Sequence, residues 1–259
     1  MAARDAQPTP IERLMTEKET RAARVAEFLR GLDAREQSIA QAERDAAARL
    51  LATGERPQAI LKAAEHALSS GEDFRRYRLD VLPSEQAIAC HEGCHWCCYL
   101  KVGASAPEVF ALVEYLNEHA SSAVLAHIKA RVAELAADPR IFSQDAKIAA
   151  RIPCALLSEN GGCLGYEARP LACRGWTSTD ADSCRRGLDD DSEPPLLNPQ
   201  LVRECAAVGL GLAEAASDHG LSGEMLELTA ALNVALNEAD ALVRWASGAE
   251  IFAAARADR

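Results

Sequence analysis

The chain has 259 residues, of which 49% are hydrophobic and only 5% aromatic, and a formal net charge of −11. That length and apolar content suffice for one large domain or two small ones with a buried core. The acidic balance, with no long basic run, repels phosphate backbones and makes nucleic acid a poor partner, an argument from bulk charge that leaves room for a small basic patch; a protein partner, of unknown identity, stays open.

The first residues, MAARDAQPTPIERLM, lack the apolar stretch of a signal peptide. No run of about 20 apolar residues occurs, so no membrane span is expected and a cytoplasmic location follows. In a reducing compartment the nine cysteines read as metal ligands rather than disulfides, and an odd count leaves one unpaired in any case.

Thr9-Pro10-Ile11-Glu12 carries the signals of a helix start: a capping threonine, a first-turn proline and a glutamate placed for a capping box. Leu14, Met15, Val25, Phe28, Leu29 and Leu32 recur at helical spacing, continuing through Ile39, Leu50 and Leu51 to a turn at Thr53-Gly54-Glu55-Arg56-Pro57. A shorter helix is expected over roughly 58–69, stopped by Ser70-Gly71. This charged, alanine-rich front end reads as a solvated packing arm. Ser105-Ala106-Pro107-Glu108 repeats the start signal ahead of Val109, Leu112, Val113 and Leu116, and a further helix is expected over about 122–136, ending before Asp138-Pro139.

Residues 152–197 differ in kind. They are rich in glycine, proline, arginine and cysteine, and they include the acidic stretch Leu188-Asp189-Asp190-Asp191-Ser192-Glu193-Pro194-Pro195. Irregular backbone organised by ligands is the expectation there. Helices resume near 199, with a break over Ser217–Gly220, and no alternating stretch is long enough to announce a strand. The fold class is therefore mainly α, with an irregular cysteine-rich, metal-bound centre flanked by helices. Its expected divisions are an N-terminal helical arm (1–75), a cysteine-cluster metal-binding domain (76–216) and C-terminal helices (217–259).

Two cysteine clusters carry the chemistry. The first reads Cys90-His91-Glu92-Gly93-Cys94-His95-Trp96-Cys97-Cys98. On a straight helix its cysteines would share one face within about 100°, yet Cys90 and Cys98 would stand about 12 Å apart along the axis. Sulfurs around one tetrahedral zinc lie only about 4 Å apart. Either Gly93 breaks the helix, or ligands are shared with the second cluster, which supplies Cys154, Cys163, Cys173 and Cys184. Gly161, Gly162 and Gly165 permit the tight backbone that folds a chain over a metal. Arg169, Arg174, Arg185 and Arg186 place positive charge near thiolates, where four on one zinc would carry a net charge of −2. Tyr166 reads equally as a packing residue, and Arg185-Arg186 as solvated surface. His91 and His95, four residues apart, read as hydrogen-bonding neighbours of the thiolates rather than ligands. Cys205, alone in the apolar stretch from Val202 to Leu212, reads as a buried small hydrophobe.

The C-x3-C-x2-C-C cluster, the later C-x8-C, the Tyr166-x-x-Arg169-Pro170-x-x-Cys173-Arg174 run and the final Cys184 resemble the YkgJ-type cysteine-cluster family over roughly residues 85–187. The resemblance implies a zinc- or iron-chelating domain whose eight cysteines are Cys90, Cys94, Cys97, Cys98, Cys154, Cys163, Cys173 and Cys184. It also suggests Tyr166, Arg169 and Arg174 as groups around the cofactor. A flagellin lysine N-methylase carries a similar domain, associated with an iron–sulfur cluster and methyl transfer; no S-adenosylmethionine-binding loop is evident here. Thiolate-only ligation suits an iron–sulfur cluster as well as zinc. Eight ligands and the adjacent Cys97-Cys98 pair crowd the usual paired zinc knuckles, which favours a [4Fe–4S]-type centre in a redox, sensing or methyl-transfer-related role. The alternative is a structural zinc-binding interaction module without catalysis. No G-x-S-x-G, phosphate-cradling glycine loop or H-E-x-x-H motif is present.

Overall fold

The computed structural model describes residues 31–81, 88–91, 93–190 and 194–257. The helix start at Thr9-Pro10, with Leu14 through Leu29, lies outside the described residues, as do Asp191, Ser192 and Glu193 of the acidic stretch. Among the described residues the fold is mainly α. Its helices are α1 (Ala34–Leu51), α2 (Arg56–Val81), α3 (Ala106–His119), α4 (Ser122–Ala136), α5 (Gln144–Ala149), α6 (Leu171–Gly175), α7 (Ala181–Asp189), α8 (Pro199–Asp218), α9 (Leu228–Asn237) and α10 (Ala241–Ala246). Two three-residue strands, β1 (Gly103–Ser105) and β2 (Met225–Glu227), pair antiparallel with Ala104 opposite Leu226. Strands this short show no alternation in a sequence.

Helix ends follow their capping chemistry. Asp33 and Glu36 form a reciprocal box at the start of α1, with bonds of 2.8 and 2.9 Å. At α3 the Ser105 amide and hydroxyl both donate to Glu108 Oε2 at 2.7 Å, while Oε1 accepts the Leu171 amide at 2.9 Å. One buried carboxylate thus joins the N-termini of α3 and α6. Asn198 caps α8 by accepting from the Leu201 amide at 3.1 Å.

Two sequence expectations need correction. The helix placed at 58–69 instead runs from Arg56 to Val81, straight through Ser70-Gly71. Gly71 is a contact point, not a stop: a Cβ built there would lie 2.5 Å from Leu171 Cδ2 and 3.6 Å from Cys205 Sγ. Its missing side chain lets α6 and α8 press against α2. The stretch 152–197 also contains regular structure, since α6 and α7 fall within it; Asp180 caps α7 by accepting the Asp182 amide.

Two hydrophobic cores result. Leu112, Leu116, Leu156, Leu232, Trp245 and Phe252 belong to the first, where the Phe110 ring lies 5.7 Å from Trp245 and 5.5 Å from Phe252. The second gathers Ala63, Ala67, Leu171, Leu201, Cys205 and Leu212 from α2, α6 and α8. A buried, bidentate pair between Arg78 and Glu204 (3.0 and 2.8 Å) ties α2 to α8. The cysteine segments bridge the cores: Cys154 and Cys163 pack against the first, while Leu171, two residues before Cys173, is inside the second.

Candidate metal centre

The first cysteine cluster is not one straight helix. Ala89 donates its amide to the Ser178 carbonyl at 2.7 Å, and the Ser178 amide reaches Cys90 Sγ at 3.4 Å. Those bonds fasten the start of the cluster to the chain that leads into α7. Gly93 then takes a left-handed turn (φ +83°), a conformation that glycine adopts without a Cβ penalty. A single 3-10 turn, Trp96–Tyr99, follows and carries Cys97 and Cys98. The break at Gly93 is therefore present, and the second cluster is also at hand: the Cys154 amide donates to the Cys98 carbonyl at 2.7 Å.

Cys154 opens a tight loop. Ser158 and Leu164 donate their amides to the Gly162 and Leu156 carbonyls, both at 2.9 Å, and Leu157 bridges to Cys163. Gly161 is left-handed as well (φ +82°), and a Cβ on it would come within 2.9 Å of the Gly93 carbonyl oxygen. The two cysteine loops therefore touch through two glycines, at a distance that side chains would forbid. Cys173 is supplied by α6, and Cys184 by α7, which packs on the 3-10 turn.

Seven of the eight expected cysteines, all but Cys184, border one cavity of about 1370 Å³. As the side chains stand, no three His, Cys, Asp or Glu among the described residues converge to hold an ion. Binding requires the thiols to turn inward, and the cavity gives them room. In donor chemistry the set fits: sulfur ligands serve both zinc and iron–sulfur centres.

The thiols are held largely neutral without metal. Burial pushes Cys90, Cys94, Cys154, Cys173 and Cys184 up, and Cys163 up to about 11. Around Cys154 the Lys147 ammonium opposes that rise, and at Cys90 the Ser178 amide does so. Cys97 and Cys98 share a hydrogen bond that lowers Cys97 and raises Cys98. Metal uptake at such thiols releases protons.

Arg169 is one of the cations at the thiols. It borders the cavity, stacks 3.8 Å over the Tyr166 ring and donates to the Tyr166 carbonyl at 2.9 Å. Tyr166 itself borders the cavity and is 46% exposed, so it is a rim residue more than a packed one. Arg174 turns elsewhere. Its guanidinium donates to Glu72 at 2.7 Å and to the Arg169 and Glu167 carbonyls, because the Glu72 carboxylate of α2 lies beneath α6. Arg185 and Arg186 pair with Asp182 and Asp180 on the surface. His91 borders the cavity, whereas His95 Nδ1 donates to the Gly93 carbonyl at 2.9 Å and its ring rests on Trp96. Cys205 is buried at 1% exposure in α8, among apolar neighbours.

The sequence reading missed Arg75 and Glu72. Both come from α2, Arg75 borders the cavity, and Glu72 ties Arg75, Arg169 and Arg174 together. Burial alone would raise the Glu72 carboxyl, but the three guanidiniums outweigh it and hold the group below its usual range. The one sequence signal was the i, i+3 spacing of Glu72 and Arg75, which is common on any helix surface.

Residues 89–188 match the model of a domain family, CxxCxxCC, described as "Putative zinc- or iron-chelating domain". The resemblance drawn from the cysteine spacing stands over this stretch, although the first spacing here, Cys90 to Cys94, is one residue longer than that name spells out. The match, over 100 of the 259 residues, supports cysteine-ligated metal binding by this stretch. Neither the curated proteins nor the solved structures gave a match. Among the described residues no helix is long and apolar enough to cross a membrane.

Proposed function

We propose that Cys90, Cys94, Cys97, Cys98, Cys154, Cys163, Cys173 and Cys184 are the metal ligands, and that the metal is iron in a [4Fe–4S]-type centre with a redox, sensing or methyl-transfer-related role. The observation that supports this is the gathering of thiols: seven border one cavity of about 1370 Å³, more than the four that one tetrahedral zinc takes, and thiolate-only sets serve iron–sulfur centres as well. Arg75 and Arg169 border the same cavity and offset the negative charge that bound thiolates bring. A reducing cytoplasm, where such thiols persist, is the location this reading requires.

A structural zinc module is the second reading, favoured by the glycine-to-glycine contact of the two cysteine loops. That contact is what a metal needs if it replaces a core. Purification in air and under anaerobic conditions, each with metal and sulfide analysis and a visible spectrum, separates them. Iron with sulfide and a broad visible absorbance under anaerobic conditions supports the first reading. A colourless protein with zinc under both conditions supports the second, and a protein without bound metal overturns both.

A further inference from the structure

Buried polar groups of a folded chain are almost always paired, and each exception calls for a partner. Among the described residues, the buried side-chain atoms without a hydrogen bond are Thr177 Oγ1, Glu227 Oε1 and Arg256 Nε. Glu227 and Arg256 each have an opposite charge at hand, Lys147 Nζ at 3.9 Å and Glu224 Oε2 at 2.8 Å, and neither borders the cavity. Thr177 has no such charge to satisfy it. It is only 4% exposed, and it does border the cavity.

The backbone around this hydroxyl is fixed. The Thr177 amide donates to the Gly175 carbonyl at 2.8 Å, and its carbonyl accepts the Asn198 amide at 2.9 Å. The next residue, Ser178, has its hydroxyl 2.7 Å from both the Asp180 and the Leu196 carbonyls, and its amide reaches Cys90 Sγ at 3.4 Å. Thr177 therefore adjoins a contact with a thiol and lines the space that seven thiols share, with a donor that no described residue accepts. A neutral thiol is a weak acceptor, whereas a metal-bound sulfur carries negative charge and accepts well. Hydrogen bonds to sulfur also tune thiolate centres. We infer that the Thr177 hydroxyl donates to a sulfur of the bound centre, so that it is unpaired in the metal-free chain and paired in the loaded one. The inference rests on thiolate-bound metal in this cavity and holds for zinc and iron alike.

Thr177→Val keeps the shape and removes the hydroxyl, while Thr177→Ser keeps the hydroxyl. Full-length chains purified anaerobically are compared as loaded and after a chelator has removed the metal. Loaded Thr177→Val should release its metal at about tenfold lower chelator concentration than wild type, and Thr177→Ser at nearly the wild-type concentration. Metal-free Thr177→Val should melt no lower than wild type, because the hydroxyl it has lost had no partner. A purely structural hydroxyl would give the reverse, a lower melting temperature with unchanged metal retention. Wild-type retention in Thr177→Val, or a lower melting temperature of its metal-free form, overturns the inference and leaves metal binding intact. Should the metal-free chains not melt cooperatively, retention in the two variants decides. Should Thr177→Val fail to fold with metal, Thr177→Ala, which also lacks the hydroxyl, takes its place. A wild-type chain without metal overturns the metal-binding reading itself, and this inference with it.

Discussion

Replacing Glu72 by glutamine isolates the charge beneath the metal site. The Glu72 carboxylate accepts from Arg75 at 2.9 Å and from Arg174 at 2.7 Å, with Arg169 at 3.4 Å. Arg174 and Arg169 are nearly buried, at 4% and 9% side-chain exposure, whereas Glu72 is 26% exposed. A hydrogen bond to a charged partner contributes about 1.5–3 kcal/mol. Partial access of water to Glu72 and the carbonyls already bound to Arg174 place the loss in the lower half, at about 2 kcal/mol. For a chain of this size that is a drop of about 5 °C in Tm. The effect has a pH signature. Folding lowers the Glu72 pKa below its ordinary 4.5, so its contribution is present above that value and lost as pH falls through the folded-state pKa. Urea unfolding followed by circular dichroism, at pH 7 and at steps below 4.5, measures it. Equal stability of wild type and variant at pH 7, or a difference that stays constant into acid, would refute the reasoning.

Four other outcomes follow from the same structure. Cys205→Ala should keep its metal and cost about 1 kcal/mol, the loss of a methylene-sized group, whereas Cys173→Ala should lose metal and become protease-sensitive over residues 155–185; metal analysis and limited proteolysis check the contrast. Burial pushes the Cys205 thiol up to about 12, so in native protein it should resist alkylation at pH 8 and react only after unfolding. Glu204→Met leaves the Arg78 guanidinium, 9% exposed, without its buried partner and should destabilise by about 3–5 kcal/mol in urea unfolding. Gly71→Ala, with a Cβ 2.5 Å from Leu171 Cδ2, should cost about 1–3 kcal/mol by overpacking and lower Tm without changing the ligand set.

What the sequence made legible was local. The Ser105-to-Glu108 capping signal marks the start of α3, and the bounds expected for 122–136 agree with Ser122–Ala136, because caps and periodicity act within a turn or two. Gly71 misled for the opposite reason. Glycine signals both a stop and a close crossing, and only the neighbours, Leu171 and Cys205, tell which. Glu72 and Arg75 were unreadable on similar grounds, since their relation to Arg169 and Arg174 depends on α6 packing across α2. Arg174 looked like a companion of Cys173 by adjacency, yet on a short helix successive side chains diverge, and it points to Glu72 instead. The cysteine spacing told more than any other feature, because ligand count and order survive without coordinates.

The bond between the Cys154 amide and the Cys98 carbonyl joins positions 56 residues apart in the chain. The intervening stretch contains α3, α4 and α5. If the proposed ligand set joins Cys98 and Cys154 in one thiolate centre, this stretch becomes a closed ring. By the loop-entropy relation used for disulfides, a ring of that size restricts the unfolded chain by about 4 kcal/mol at 25 °C. The centre would then act as a clasp on chain topology as well as a chemical group. With the clasp shut, the three helices can open only as a tethered ring, and amide exchange in α3 to α5 should be slow. When the metal leaves, the same helices would regain the freedom of an open segment, so loss of the ion would be felt along α4, whose Arg131 donates to the Leu157 carbonyl in the cysteine loop at 2.6 Å.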